Sequence, residues 1–179
     1  MDGGRLYVPK LYAPLLPGSI YPDKKVALPA KGRPAMVLVC PVKGDCREKE
    51  ILDRAAQRGL VVLAGRGTKA DLLRTRTEAD AERIGWLLVA PTADFLRTWT
   101  DARAQGTAAA VMGPPRHFAG PLLSSPSKKV LFASLLSDES FGAPDETVLK
   151  LYSPNKEGFL PNEAFRDAVE WLAGELGAR

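Results

Sequence analysis

Few side chains in this 179-residue sequence are spaced to do chemistry. Its one histidine, His117, sits in Pro114-Pro115-Arg116-His117-Phe118, and no nucleophile is visibly paired with it. It reads as a loop histidine, exposed or locally hydrogen-bonded. The sharper reading is a base borrowed from a loop over the strand ends, where α/β proteins bind ligands. Cys40 closes an apolar run and is expected to be buried as a small hydrophobe, with a cysteine nucleophile as the alternative. Cys46 follows close behind. The two are near enough in sequence to pair, but one short-range pair is not the disulfide-dense pattern of small secreted folds, so free thiols are expected.

Other clusters weigh less. Gly65-Arg66-Gly67-Thr68-Lys69 lies between a strand and a helix, where exposed backbone N–H groups can hold a phosphate. It matches neither glycine-rich phosphate motif and reads as a turn, leaving a doubly wound phosphate-binding module as a distant alternative. The acidic group Asp138, Glu139, Asp145 and Glu146 has the oxygen chemistry of a hard-cation site, and its ordinary reading is a hydrated loop. Two cysteines and one distant histidine are too few for a structural zinc site, so no metal and no cofactor is implied. Trp86 and Trp99 are read as packing residues.

The elements that would position these groups alternate. Residues 1 to 35 are rich in proline and read as an extended arm with one or two edge strands. From 36 to 179 one domain is expected, making a single structural domain overall. Continuous apolar runs predict strands over 36–40, 60–64, 84–89, 107–112, 130–134 and 148–152, as for a parallel sheet buried on both faces. Helices are predicted over 46–58, about 68–79 and about 93–105. A last helix is expected after Asn162 as its N-cap, with Phe165, Ala168, Val169, Leu172 and Leu176 on one stripe. Gly59 and Gly177 supply the left-handed residues that end the first and last helices. Right-handed crossovers make this an α/β fold, a mostly parallel sheet with helices on both faces.

Three segments add a resemblance. Arg83-Ile84-Gly85-Trp86-Leu87-Leu88 resembles the arginine-isoleucine-glycine strand that leads into the nucleophile elbow of the α/β-hydrolase family, most nearly its small dienelactone-hydrolase type. Lys129-Val130-Leu131-Phe132-Ala133 followed by Asp138 resembles the strand and loop that carry the family's acid. Tyr152-Ser153-Pro154-Asn155-Lys156-Glu157-Gly158-Phe159 resembles its tyrosine, spacer, histidine, glycine, phenylalanine stretch before the last helix. The resemblance implies a shortened α/β-hydrolase fold.

It also implies vacant catalytic positions. The nucleophile position falls on Ala90 or, shifted by two, on Thr92, and neither window is the G-x-S-x-G turn that presents a serine. Pro91 has no N–H to offer an oxyanion. The base position falls on Glu157, and a carboxylate with a pKa of about 4.3 is a far weaker acceptor for a hydroxyl proton than an imidazole near 6.5. The oxyanion loop corresponds to Cys40-Pro41-Val42-Lys43-Gly44, with only its last glycine kept. Asp138 alone would remain of a triad, and loss of serine or histidine typically costs on the order of 10⁶ in turnover. A protein without the family's usual activity is therefore expected.

The net charge of +4 permits an anionic partner, yet its cations are scattered, and the densest basic stretch, Arg66 to Arg76, also carries Asp71. Neither nucleic acid nor membrane is expected as a partner, since the apolar runs are short of the ~20 residues of a span. A small apolar ligand or a second subunit over the strand ends is expected, in a soluble cytoplasmic protein. The cleft would draw on Cys40, Pro41, Lys43, Thr92, His117, Asp138 and Glu157.

Overall fold

A computed structural model describes residues 5–7, 10–12, 25–27, 32–40, 46–65, 83–89, 108–113, 129–135 and 147–178. Its strands are β1 (Arg5–Tyr7), β2 (Lys10–Tyr12), β3 (Lys25–Ala27), β4 (Ala35–Val39), β5 (Val61–Gly65), β6 (Ile84–Val89), β7 (Ala108–Met112), β8 (Lys129–Leu135) and β9 (Thr147–Tyr152). The described helices are α1 (Glu48–Gln57) and α2 (Asn162–Glu175). Predicted helices over 68–79 and 93–105 lie outside the described residues.

Seven strands form one sheet in the order β1-β5-β4-β6-β7-β8-β9, while β2 and β3 pair with each other. All neighbours in the large sheet are parallel except β1, which runs antiparallel to β5 with Leu6 opposite Leu63. Parallel neighbours need crossovers, so strands that feel water on neither face carry unbroken apolar runs. The burial follows that rule: every residue of β4, β6 and β7 is buried.

Alternation along the strands divides this core. Met36, Leu38, Leu87, Val89, Ala110, Met112 and Leu131 point to one face, where Ile51 and Ala55 of α1 and Phe165, Ala168, Val169 and Leu172 of α2 pack. Val37, Val39, Ile84, Trp86, Leu88, Val111 and Phe132 point to the other, which is equally buried. Trp86 is thus a core residue, as read from the sequence. Gly85 sits on the α2 side; a Cβ there would lie 2.9 Å from Leu176 Cδ1 and 3.1 Å from Leu172 Cδ2. The glycine is what lets the last helix settle so close to β6.

Helix boundaries differ in detail from expectation. α1 begins two residues later than predicted, because Arg47 takes the left-handed region at φ 55° and forms its N-cap without a side-chain bond. Gly59, at φ 69°, ends it as expected. Asn162 is not the N-cap of α2. Pro161, with φ −71° and extended ψ 159°, holds the cap geometry, and Asn162 becomes the first helical residue. The Ala164 N–H donates to the Pro161 carbonyl at 3.0 Å. Between the helices, the Glu170 carboxylate lies 2.5 Å from Arg54 Nε and 3.2 Å from Arg58 Nε. None of these nitrogens is aligned as a hydrogen-bond donor, so the contact is one of charge.

Candidate functional site

Because β4 to β9 run parallel, their carboxyl ends meet at one edge of the sheet, the place where open α/β sheets bind ligands. There the chain leaves β4 at Cys40, β7 at Gly113 and β9 at Tyr152. Gly113 turns off β7 at φ 60°, its N–H donating to the Ala133 carbonyl at 2.8 Å. A Cβ added to it would meet Leu160 Cδ1 at 3.7 Å. Leu160 belongs to the segment joining β9 to α2, so that segment is laid back across the edge toward β7.

That segment carries Glu157 and organises itself. The Asn155 side-chain oxygen accepts the N–H groups of Glu157 at 3.0 Å and Phe159 at 2.9 Å. The Asn155 N–H donates to the Phe159 carbonyl at 2.8 Å, and the Gly158 N–H to the Asn155 carbonyl at 3.0 Å. An asparagine that bonds its own downstream backbone makes a turn on its own account. Gly158, at φ 84°, is the residue type that this reversal requires. Glu157 is exposed, and among the described residues no group holds its carboxylate. Next to it Phe159 is 65% exposed.

The start of the turn is anchored to α2. The Tyr152 hydroxyl donates to Asp167 Oδ2 at 2.9 Å, and Lys150 Nζ donates to the same oxygen at 3.3 Å. Burial, and then the Asp167 carboxylate that accepts its proton, push the Tyr152 phenol well above the ordinary tyrosine range. The tyrosine of the hydrolase-like segment is therefore a structural strut here.

On β4 the expectation of free thiols is overturned. Cys40 and Cys46 are joined in a disulfide, with Cα atoms 5.6 Å apart. That separation lies within the ~4.4–6.8 Å that a disulfide spans. It joins the residue after β4 to the residue before the left-handed Arg47, a proximity that residue spacing does not reveal. Cys40 is accordingly half-buried and not the buried free hydrophobe expected. A Cys40 nucleophile has no thiol in this state.

Of the sequence-derived cleft residues, Cys40 and Glu157 are described, both on segments that leave the carboxyl edge. Pro41, Lys43, Ala90, Thr92, His117 and Asp138 lie outside the described residues. Among the described residues no group of histidine, cysteine, aspartate and glutamate has the arrangement of a metal site, and no helix is long and apolar enough to cross a membrane. A depression of about 480 Å³ runs along α1, lined by Arg47, Glu48, Asp53, Arg54 and Arg166 among others; its mixed charge has little in common with an apolar ligand cleft.

Two buried polar groups escaped sequence reasoning. Ser134, near the carboxyl end of β8, is fully buried and its hydroxyl has no partner among the described residues; Trp86 Nε1 is likewise unpartnered among them. The only signal for Ser134 was one hydroxyl inside the apolar run of β8.

Compared by sequence, the chain matches no family model and no curated protein. Compared by structure, it is similar to a cold-adapted esterase from an Arctic intertidal metagenomic library, with a TM-score of 0.55 and 14% identity over 82% of this chain and 83% of the esterase. It is also similar to FphF, a fluorophosphonate-binding serine hydrolase of Staphylococcus aureus, with a TM-score of 0.53 and 11% identity over 96% of this chain and 99% of that one. At such identities the likeness concerns the fold, which is α/β-hydrolase-like.

Proposed function

We propose that this chain is a dienelactone-hydrolase-like protein whose catalytic triad has decayed, and that it acts as a module holding a small apolar molecule, or a second copy of itself, at the carboxyl edge of the sheet. The observation that carries the reading is Glu157. It stands where the resemblance puts the catalytic histidine, on a turn closed by Asn155, exposed and held by no partner among the described residues. A solvated carboxylate is a poor base for a serine or threonine hydroxyl. With Ala90 or Thr92 in the nucleophile position, hydrolysis by the usual route lacks two of its three parts.

The names of the structural neighbours favour a second reading, an ester hydrolase with a rebuilt site drawing on Thr92, Asp138 and either Glu157 or His117. One experiment separates the two. Purified protein is exposed to a serine-directed fluorophosphonate and to short p-nitrophenyl esters, while binding of phenyl butyrate is followed by calorimetry. The binding reading expects saturable heat, no adduct and no hydrolysis above background. An adduct on Thr92 or any serine, with turnover that the Thr92→Val variant loses, establishes the hydrolase instead.

A further inference from the structure

Strand β9 closes one side of the sheet. It pairs with β8 without interruption, from Val130 opposite Thr147 to Leu135 opposite Tyr152, and among the described residues no strand takes its outer edge. An open edge is a row of N–H and C=O groups ready to pair with another chain, and proteins blunt it with bulges, prolines or lysines that project from it. β9 lacks these devices. Its register runs without a bulge, it contains no proline, and its one lysine, Lys150, is drawn onto α2, where Nζ donates to Asp167 Oδ2 at 3.3 Å.

Apolar surface gathers at the same place. The large apolar side chains exposed among the described residues are Val148, Leu151 and Phe159, two on β9 and one on the turn that follows it. Val148 is 39% and Leu151 41% exposed. They lie on opposite faces of the sheet. Lys150 and Tyr152 reach Asp167 on α2, and Val148 shares their face by alternation, whereas Leu149 packs with the cluster around Trp86 and Leu151 lies on its side. A further strand laid along β9 would cover apolar surface on both faces and pair the backbone between them.

We infer that β9 is the contact of a symmetric dimer, in which a second copy of this chain lays its own β9 antiparallel to the first and the two seven-stranded sheets become one. The edge matches itself. A two-fold axis through an antiparallel pair stands perpendicular to the sheet and keeps each face on its own side, so a residue opposes only residues of its own face. An axis at Lys150 would set two ammonium groups directly opposite each other, which destabilises a strand pair. An axis at Val148 or Leu151 would engage residues 147–149 or 150–152 alone and run the rest of the pairing past the strand ends. An axis at Leu149 engages residues 147–151 of each chain and sets each Lys150 opposite the copy's Val148, an apolar neighbour for its stem. The contact runs along the side of the sheet and holds whether or not the carboxyl edge takes a ligand.

The test is the mass of the full chain by sedimentation equilibrium from about 1 μM to about 1 mM, for the parent, Val148→Lys and Val148→Glu. The parent should pass from one chain mass to two. Val148→Lys opposes like charges twice, once on each side of the axis, and should raise the dissociation constant about tenfold. Val148→Glu puts a carboxylate opposite Lys150 in the same two places and should lower the constant or leave it unchanged. Since Val148 is exposed, circular dichroism should show both variants folded. In the parent, the outward amides of residues 147–151 should exchange more slowly at dimeric than at monomeric concentrations, a readout that needs neither variant. A parent that stays monomeric, a dimer weakened alike by both variants, or exchange at 147–151 that ignores concentration would overturn the inference. So would a dimer that neither variant moves, which would place the second copy elsewhere and leave the carboxyl edge open to it.

Discussion

Packing of α2 against β6 can be tested with a double-mutant cycle on Gly85 and Leu176. Gly85→Ala places a methyl group 2.9 Å from Leu176 Cδ1 and 3.1 Å from Leu172 Cδ2. Carbon atoms prefer separations of about 3.5–4.0 Å, and Leu176 is only 1% exposed, so it has little room to retreat. Overpacking of this kind costs about 1–3 kcal/mol, offset by about 0.5–1 kcal/mol from replacing glycine in a strand interior. A net destabilisation of about 1 kcal/mol is expected on balance. Leu176→Ala should cost about 2–5 kcal/mol through lost burial and the cavity left behind. In that background the closest contact is gone, and the new methyl partly fills the space. The double variant should therefore be more stable than the sum of the singles by about 1–2 kcal/mol. Urea unfolding followed by circular dichroism reads all four corners of the cycle. Additivity within about 0.5 kcal/mol, or a Gly85→Ala variant more stable than the parent, would refute the packing argument.

Further outcomes follow from other contacts. Tyr152→Phe should cost about 0.5–1.5 kcal/mol at neutral pH by removing one donor from Asp167. The folded chain holds the Tyr152 proton more tightly than the unfolded chain does. Its contribution is thus full below about pH 10, where an unfolded phenol titrates, and is lost as pH rises further. Urea midpoints in alkaline buffers should fall less steeply for Tyr152→Phe than for the parent, and equal slopes would count against the strut. Ser134→Ala removes a buried hydroxyl that has no partner among the described residues and should be neutral or stabilising by about 1–2 kcal/mol; a thermal melt showing a clear loss would mean that the hydroxyl is satisfied in solution. Glu157→Gln should leave stability within about 0.5 kcal/mol of the parent and phenyl butyrate unhydrolysed, whereas abolished turnover in an otherwise active protein would make Glu157 a catalytic group.

Much of the sheet was legible because a parallel strand buried on both faces leaves an unbroken apolar run. The strand predicted at 84–89 is found as Ile84–Val89, and the others are displaced by a residue or so at their ends. The 3.6-residue stripe of α2 was legible for the same reason. Its cap was misread because residue type favours Asn162, while the backbone angles that define a cap fell to Pro161. The disulfide was not legible because it depends on how near the end of β4 and the residue before the Arg47 cap lie in the folded chain, 5.6 Å between their Cα atoms, which a separation of six residues does not fix. At the candidate site, the position of Glu157 came from resemblance. The turn that carries it is closed by two bonds to the Asn155 side chain, a local contact that residue type permits but does not dictate. The burial of Ser134 depends on β8 lying between β7 and β9, a neighbour relation that only the assembled sheet reveals.

The strand order also bears on how the chain is made. β5 leaves the ribosome after β4 and pairs on its β1 side, β6 to β9 then extend the other side in chain order toward the β9 edge, and α2 follows them all. Until α2 arrives, the faces of β6, β7 and β8 that it covers have no protection, and they carry Leu87, Met112 and Leu131. Translation at about 5–20 residues per second leaves these side chains uncovered for seconds, long enough for chaperones or other nascent chains to find them. Gly85 then matters twice over, since a residue that delays the docking of α2 prolongs that interval as well as weakening the finished fold. In cells, the yield of soluble Gly85 variants should thus drop further than their equilibrium stability accounts for, and more chaperone should recover it.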